Sequence, residues 1–190
     1  MPQPSHVTAL SDADESTLPD DLVPYFQKCR DKLGFVPNVL RAWLLRPEKL
    51  RNFIRLYDEL MLAPSGLTRL EREMIAVAVS SWNRCYYCLV AHGAAVRKLS
   101  GDAQMGEMLA FNYRVAELEP RQRAMLDFAV KLTATPHEIG QPDRDALGQQ
   151  EFSDADIFDI AEVAAFFNYT NRVAHAVDMM PNGEYHALGR

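Results

Sequence analysis

An all-α fold is what this sequence predicts, and three observations carry the prediction. Apolar residues recur at three- and four-residue spacing through most of the 190 residues. No stretch shows the sustained period-two alternation of a half-buried strand. Capping residues, prolines and glycines stand where such helices would begin and end. The expected organisation is a flexible N-terminal arm over 1–17, a single helical domain over 18–180, and a C-terminal tail over 181–190.

The elements follow in order. Residues 1–17 lack periodicity and are polar, whereas Leu22, Tyr25, Phe26, Cys29 and Leu33 form one helical stripe that Gly34 terminates. Pro37 suits the first turn of a short helix through Leu45. Pro47 opens another, with Leu50, Phe53, Ile54, Tyr57, Leu60 and Met61 inward, and Pro64-Ser65-Gly66 breaks it. Thr68-Arg69-Leu70-Glu71 reads as a capping box for a helix over 69–82. Met74 to Val79 make that helix apolar nearly all round, so it should be central and buried.

A further helix is expected from an N-cap at Asn83 to about Leu99, closed by Ser100-Gly101. A short helical piece over 102–112 and a helix from Pro120 to Pro136 follow. Residues 137–152 look turn-rich, with one helical turn after Pro142. Ser153 and Asp156 cap a long helix to about Met180, closed by Pro181-Asn182-Gly183.

One internal echo is visible. Aligning Val90-Ala91-His92 on Val173-Ala174-His175 sets Asp156, Asn168 and Asn171 opposite Glu73, Cys85 and Cys88, and Pro120 opposite Pro37. Duplication and chance similarity of two buried helices both account for it.

Composition narrows the function. The net charge of −6 argues against nucleic acid or an anionic membrane surface as partner. Apolar runs fall well short of the roughly 18 residues a span needs. The first 18 residues lack the apolar centre of a signal peptide. Three cysteines in 190 residues are no disulfide framework, so a reducing, cytoplasmic setting is expected.

Chemistry concentrates at Cys85-Tyr86-Tyr87-Cys88, with His92 four residues on and Glu73 twelve before. On a helix, Cys85 and Cys88 share a face with Cα atoms roughly 5 Å apart, within the range disulfides use. A free thiol of pKa about 8.5 is only a few per cent thiolate at pH 7, and a helix N-terminus with a neighbouring histidine lowers that value. The spacing makes Cys88 the base-assisted thiol and Cys85 its partner. Glu73 needs a partner inside an apolar helix, and orienting His92 would give it one. The bland alternative puts Glu73 on a wet edge beside Arg69 and Arg72.

Zinc is the chemical rival, with Cys85, Cys88, His92 and Glu73 as ligand types. Cys85 and His92 would stand about 10.5 Å apart along one axis, too far to share an ion comfortably. No metal or other cofactor is therefore expected. Cys29 reads as a core residue, and Tyr86 and Tyr87 as packing or pocket aromatics. Asn168, Asn171 and Arg172 interrupt an apolar helix as buried hydrogen-bonding groups or an oligomer contact. His175 has no evident partner, and His6, His137 and His186 look superficial.

The spacing Glu73, Cys85-x-x-Cys88, His92 resembles the signature of the alkylhydroperoxidase AhpD family, within the carboxymuconolactone decarboxylase-like superfamily. Gly34-Phe35-Val36-Pro37-Asn38, Arg46-Pro47-Glu48, Glu71-Arg72-Glu73, Phe167-Asn168-Tyr169 and Asn171-Arg172 resemble its peroxidase-related subgroup. The similarity runs from about residue 18 to 180. It implies an all-helical fold whose central buried helices carry Glu73 and the cysteine pair, assembled as a homo-oligomer, often a trimer or hexamer. It also implies a proton relay from Cys88 through His92 to Glu73, with Cys85 resolving a sulfenic acid into a Cys85–Cys88 disulfide. The expected activity is a thiol peroxidase or dithiol–disulfide oxidoreductase acting on organic hydroperoxides. Its partners would be the hydroperoxide and an external thiol reductant or redox protein. A redox-responsive binding protein without turnover and a carboxymuconolactone decarboxylase-like enzyme are the alternatives. Well-known members often carry histidine immediately before the second cysteine, where this chain has Tyr87.

Overall fold

The computed structural model describes residues 3–11 and 14–190. Helices α1 (Val23–Leu33), α2 (Asn38–Trp43), α3 (Pro47–Leu62), α4 (Arg69–Trp82) and α5 (Tyr86–Ser100) lead in order to α6 (Ala103–Asn112). Next come α7 (Pro120–Ala134), α8 (Gln141–Gly148) and α9 (Asp154–Ala176), with short 3-10 turns between. Among the described residues there is no strand. None of these helices is long and apolar enough to cross a membrane.

Helix α4 is the axis of the fold. It packs against α5, α6, α7 and α9, and Met74, Ile75, Ala76, Val77 and Val79 have no exposed surface. Burying each larger apolar side chain contributes roughly 1.5–3 kcal/mol, which is why this stretch sits at the centre. Its start is fixed by the expected capping box: Glu71 N–H donates to Thr68 Oγ1 at 3.1 Å, and Thr68 N–H to Glu71 Oε2 at 2.7 Å. Ser153 and Asp156 start α9 in the same way. Gly34, at φ +86°, ends α1 in the left-handed conformation that glycine adopts at least cost.

Four expectations meet a different structure. Asn83 is not the N-cap of α5 but the C-terminal residue of α4's last turn, and Cys85 is the cap. Arg84, at φ +57°, turns the chain between them, a conformation that nothing in an arginine announces. Helix α8 is two full turns rather than one, because Asp143 caps it through Gly140 N–H at 2.8 Å and pairs with Lys131 at 2.7 Å.

Helix α9 stops at Ala176, short of Met180. Asp178 adopts φ +49°, and Met180 N–H is given to the carbonyl of Val7. The arm expected to be flexible over 1–17 lies partly outside the described residues. Its described part is tied down: Ala9 N–H donates to Val177 O, and Gln3 Nε2 to Pro181 O at 2.6 Å. The C-terminal tail is likewise docked, because the buried Arg97 guanidinium donates to Tyr185 O at 2.9 Å and Leu188 O at 3.0 Å.

Candidate active site

The site lies where α5 leaves the end of α4. Three residues link the two helices, so α5 folds back along α4 and brings its second turn against Glu73. Glu73 and His92 are both largely buried, and Glu73 Oε2 stands 2.6 Å from His92 Nδ1. An ionised carboxylate is an acceptor only, so the hydrogen of this bond is on Nδ1 and Nε2 is left as the basic nitrogen. The edge of Phe167 meets the imidazole ring at 4.6 Å and 80°, fixing its tilt. Glu73 therefore has the partner its buried position demands, and the wet-edge alternative does not hold.

Cys85 and Cys88 are free thiols, and both are buried. Cys85 sits at the mouth of α5, its N–H given to Ser80 O at 2.9 Å. Its thiol is brought down to about 7, chiefly by a hydrogen bond from the Cys88 thiol. The backbone N–H of Cys88 at the open first turn of α5 assists, as do the nearby His175 and His92, against the opposing effect of burial. Cys88 moves the other way. Sharing its hydrogen with Cys85, burial and the Cys85 charge all push its thiol well up, while hydrogen bonds from Asn171 and Ser80 pull it down. The two thiols are thus tied by one hydrogen bond that lowers Cys85 and raises Cys88.

Cys88 and not Cys85 faces the open space. A cavity of about 220 Å³ is lined by Cys88, His92 and Tyr87, with Tyr25, Trp43, Phe53, Tyr57, Phe166 and Tyr185 among its walls. Trp43 stacks on Phe53 at 4.9 Å, and Phe53 lies 5.6 Å from Phe166, so much of the wall is one aromatic cluster. Cys29 also lines this space, half-buried, with burial raising its thiol. Tyr87 is a pocket residue whose hydroxyl accepts Val39 N–H at 3.0 Å. Tyr86 is part-exposed and donates to Gln3 Oε1 at 3.1 Å. No group of three or more His, Cys, Asp or Glu among the described residues is arranged to hold a metal ion.

Residues whose roles the sequence did not reveal gather on the far side of the thiols. Asn171 Nδ2 donates to Ser80 Oγ at 3.0 Å, and Asn83 Nδ2 to Asn171 Oδ1 at 2.9 Å and Asn168 Oδ1 at 3.1 Å. His175 Nε2 lies 3.0 Å from Asn83 O, so this superficial histidine has a backbone partner after all. The signal for Ser80 was its hydroxyl at the end of an apolar run. The echo that set Asn171 opposite Cys88 pointed to the second member.

The carboxymuconolactone decarboxylase family profile matches residues 47–131, which spans α3 to α7. An uncharacterized peroxidase-related protein from Silicibacter sp. TM1040 has 58% identity and a TM-score of 0.95, with 100% of each chain covered. An alkylhydroperoxidase AhpD core protein, also an uncharacterized peroxidase-related protein, from Ralstonia eutropha JMP134 has 42% identity and a TM-score of 0.95 over 98% of each chain. The debrominase Bmp8 shares the fold at 22% identity and a TM-score of 0.78, covering 97% of this chain and 96% of its own. No curated protein sequence matches the chain.

Proposed function

Because the chain belongs to the AhpD-like, carboxymuconolactone decarboxylase-like family, we propose that it is a thiol peroxidase that reduces organic hydroperoxides through Cys85 and Cys88. One observation carries this reading: Cys88 shares a cavity wall with His92, whose other nitrogen is bound by Glu73 at 2.6 Å. That is a nucleophile, a base and an orienting group in series.

The dithiol supplies both electrons. One thiol proton passes to His92 Nε2, making the imidazolium, the other stays on Cys85, and the Cys88 thiolate attacks the distal peroxide oxygen. An S–O bond forms as the O–O bond breaks, and the leaving alkoxide takes a proton from the His92 imidazolium to depart as the alcohol. Glu73 holds that imidazolium in place and stabilises its charge. Cys85 then attacks the Cys88 sulfenic acid, the S–S bond replaces S–O, and the oxygen leaves as water. An external thiol, small or protein-borne, reduces the disulfide by exchange. No cofactor enters these steps. The aromatic cavity favours a carbon-bearing hydroperoxide over hydrogen peroxide, because apolar walls reward an apolar substituent.

We further place the protein in the cytoplasm as a homo-oligomer, a trimer or hexamer.

The test is hydroperoxide consumption with a dithiol reductant in excess. Wild type should turn over and Cys88→Ser should not; turnover by Cys88→Ser at the wild-type rate would overturn the assignment. The family profile carries a decarboxylase's name, and that second reading predicts full activity in a Cys85/Cys88 double variant. A protein that oxidises once and never cycles under any reductant would instead be a redox-responsive binder.

A further inference from the structure

We propose that a second cavity, back to back with the first, seats a carboxylate, and that the substrate is an apolar acid whose chain carries the hydroperoxide. The substrate class rests on the peroxidase reading above; the carboxylate seat does not.

The second cavity, of about 240 Å³, is lined by Arg41, Arg46 and Lys49 and, among the described residues, by no acid. Three cations without an acid run against a net charge of −6. The neighbouring carboxylates are already engaged. Glu48, between Arg46 and Lys49 in the chain, meets Arg51 Nη1 at 2.6 Å. Glu15 is shared by Arg30 and by Arg41, whose Nε stands 3.1 Å away. Asp178, between the lining residues Val177 and Met179, pairs with His6 at 3.0 Å. Arg46 and Lys49 meet no carboxylate among the described residues, and they stand at the start of α3, where the helix dipole adds positive potential.

Below this rim the lining turns apolar, with Leu10, Leu45, Val173 and Val177. Trp43 and Met179 line both cavities. Trp43 stacks on Phe53 of the first at 4.9 Å and lies 6.0 Å from Tyr169 of the second. The two spaces are thus parted by one indole and one thioether, and methionine is the apolar side chain that adapts most easily. Cations on one side and Cys88 on the other match a ligand with an anionic head and an apolar body. A carboxylate suits that head, because arginine binds it through charge-assisted, often bidentate, hydrogen bonds. The N-terminal arm completes the wall with Thr8, Leu10 and Ser11, held there by the bond from Ala9 N–H to Val177 O at 2.8 Å.

The experiment uses the full chain with Trp82→Phe, which leaves Trp43 as the one indole. Its fluorescence is followed during titration with dodecanoate and with dodecan-1-ol, both below the concentrations at which they aggregate. Dodecanoate should bind more tightly than the alcohol. Arg46→Gln/Lys49→Gln should weaken the acid by about fivefold, what two exposed ion pairs supply together, and leave the alcohol unchanged. Lys32→Gln/Lys98→Gln makes the same change of charge at two exposed sites outside the cavity and should leave both ligands unchanged. Equal affinity for acid and alcohol, no binding of dodecanoate, wild-type affinity in Arg46→Gln/Lys49→Gln, or an equal loss in the control variant each overturns the seat. In turnover, wild type should consume linoleic acid hydroperoxide with a kcat/KM above that for its methyl ester, and Arg46→Gln/Lys49→Gln should remove the difference. A wild type that does not distinguish acid from ester overturns the substrate class. Titration needs no peroxide, so a protein that binds dodecanoate as expected but consumes no hydroperoxide keeps the seat and loses the peroxidase reading.

Discussion

Glu73 Oε2 and His92 Nδ1 stand 2.6 Å apart between adjacent turns of two buried helices, and this contact makes one site of α4 and α5. Glu73→Gln keeps the size of the side chain but removes the charge that selects the imidazole tautomer. Turnover of an organic hydroperoxide should fall by about 100-fold, the low end of the range general acid–base groups contribute. Substrate concentration at half-maximal rate should change little. Steady-state kinetics on Glu73→Gln and His92→Gln check this, and the double variant should be no worse than the worse single one, since the two act as a unit.

The thiol pair gives stability a pH dependence whose sign follows from the two opposite shifts. Cys85 falls from 9.0 to about 7 in the folded protein, so its contribution appears as pH rises through 7 and is complete above 9. It is lost again as pH falls through 7. Cys88 is raised, so above pH 9 the unfolded chain ionises it first and stability declines. Urea unfolding of the reduced protein should therefore show a maximum near pH 9, with a gain of up to about 2 kcal/mol from pH 6.5. Cys85→Ser should flatten the rising limb.

Cavity shape should govern which peroxides react. Ala95 lines the cavity one turn beyond Ala91 and itself carries no group that transfers protons. Ala95→Leu should reduce kcat/KM for cumene hydroperoxide by at least about tenfold while hydrogen peroxide changes by less than about threefold. Overpacking should cost about 1–3 kcal/mol in stability. Parallel kinetics with the two peroxides measure the ratio.

Arg97 clamps the tail onto the back of α5 through the carbonyls of Tyr185 and Leu188. Arg97→Met keeps the buried stem and leaves both carbonyls without their charged donor, so unfolding free energy should drop by about 2–3 kcal/mol. Tyr185, a cavity wall residue, should lose its position, and limited proteolysis should cut the tail of the variant faster than that of wild type.

Much of the fold was legible because its determinants are local. The Thr68–Glu71 and Ser153–Asp156 boxes, Gly34 and the prolines at 47 and 120 each mark an end by their own chemistry. The pairing of Glu73 with His92 was legible from burial: a carboxylate in an apolar helix needs a partner, and the histidine was the candidate in reach. What was not legible depends on tertiary contacts. Arg84 takes a left-handed turn only because Asn83 and Cys85 are held on either side. The buried bonds that join Asn171 to Ser80 and Asn83 run between α9, α4 and the turn after α4, segments far apart in the chain. The arm and the tail look unstructured because their hydrogen bonds run to each other and to Arg97, at separations no local pattern reports.

The most direct test of the dithiol mechanism is a single turnover. The reduced protein is mixed with one equivalent of cumene hydroperoxide without reductant, then the alcohol is quantified and the cysteines are mapped by mass spectrometry. The mechanism predicts about one alcohol per chain, a Cys85–Cys88 disulfide, and an unmodified Cys29. Intact peroxide with both thiols free, or alcohol formed equally by a Cys85/Cys88 double variant, would contradict it.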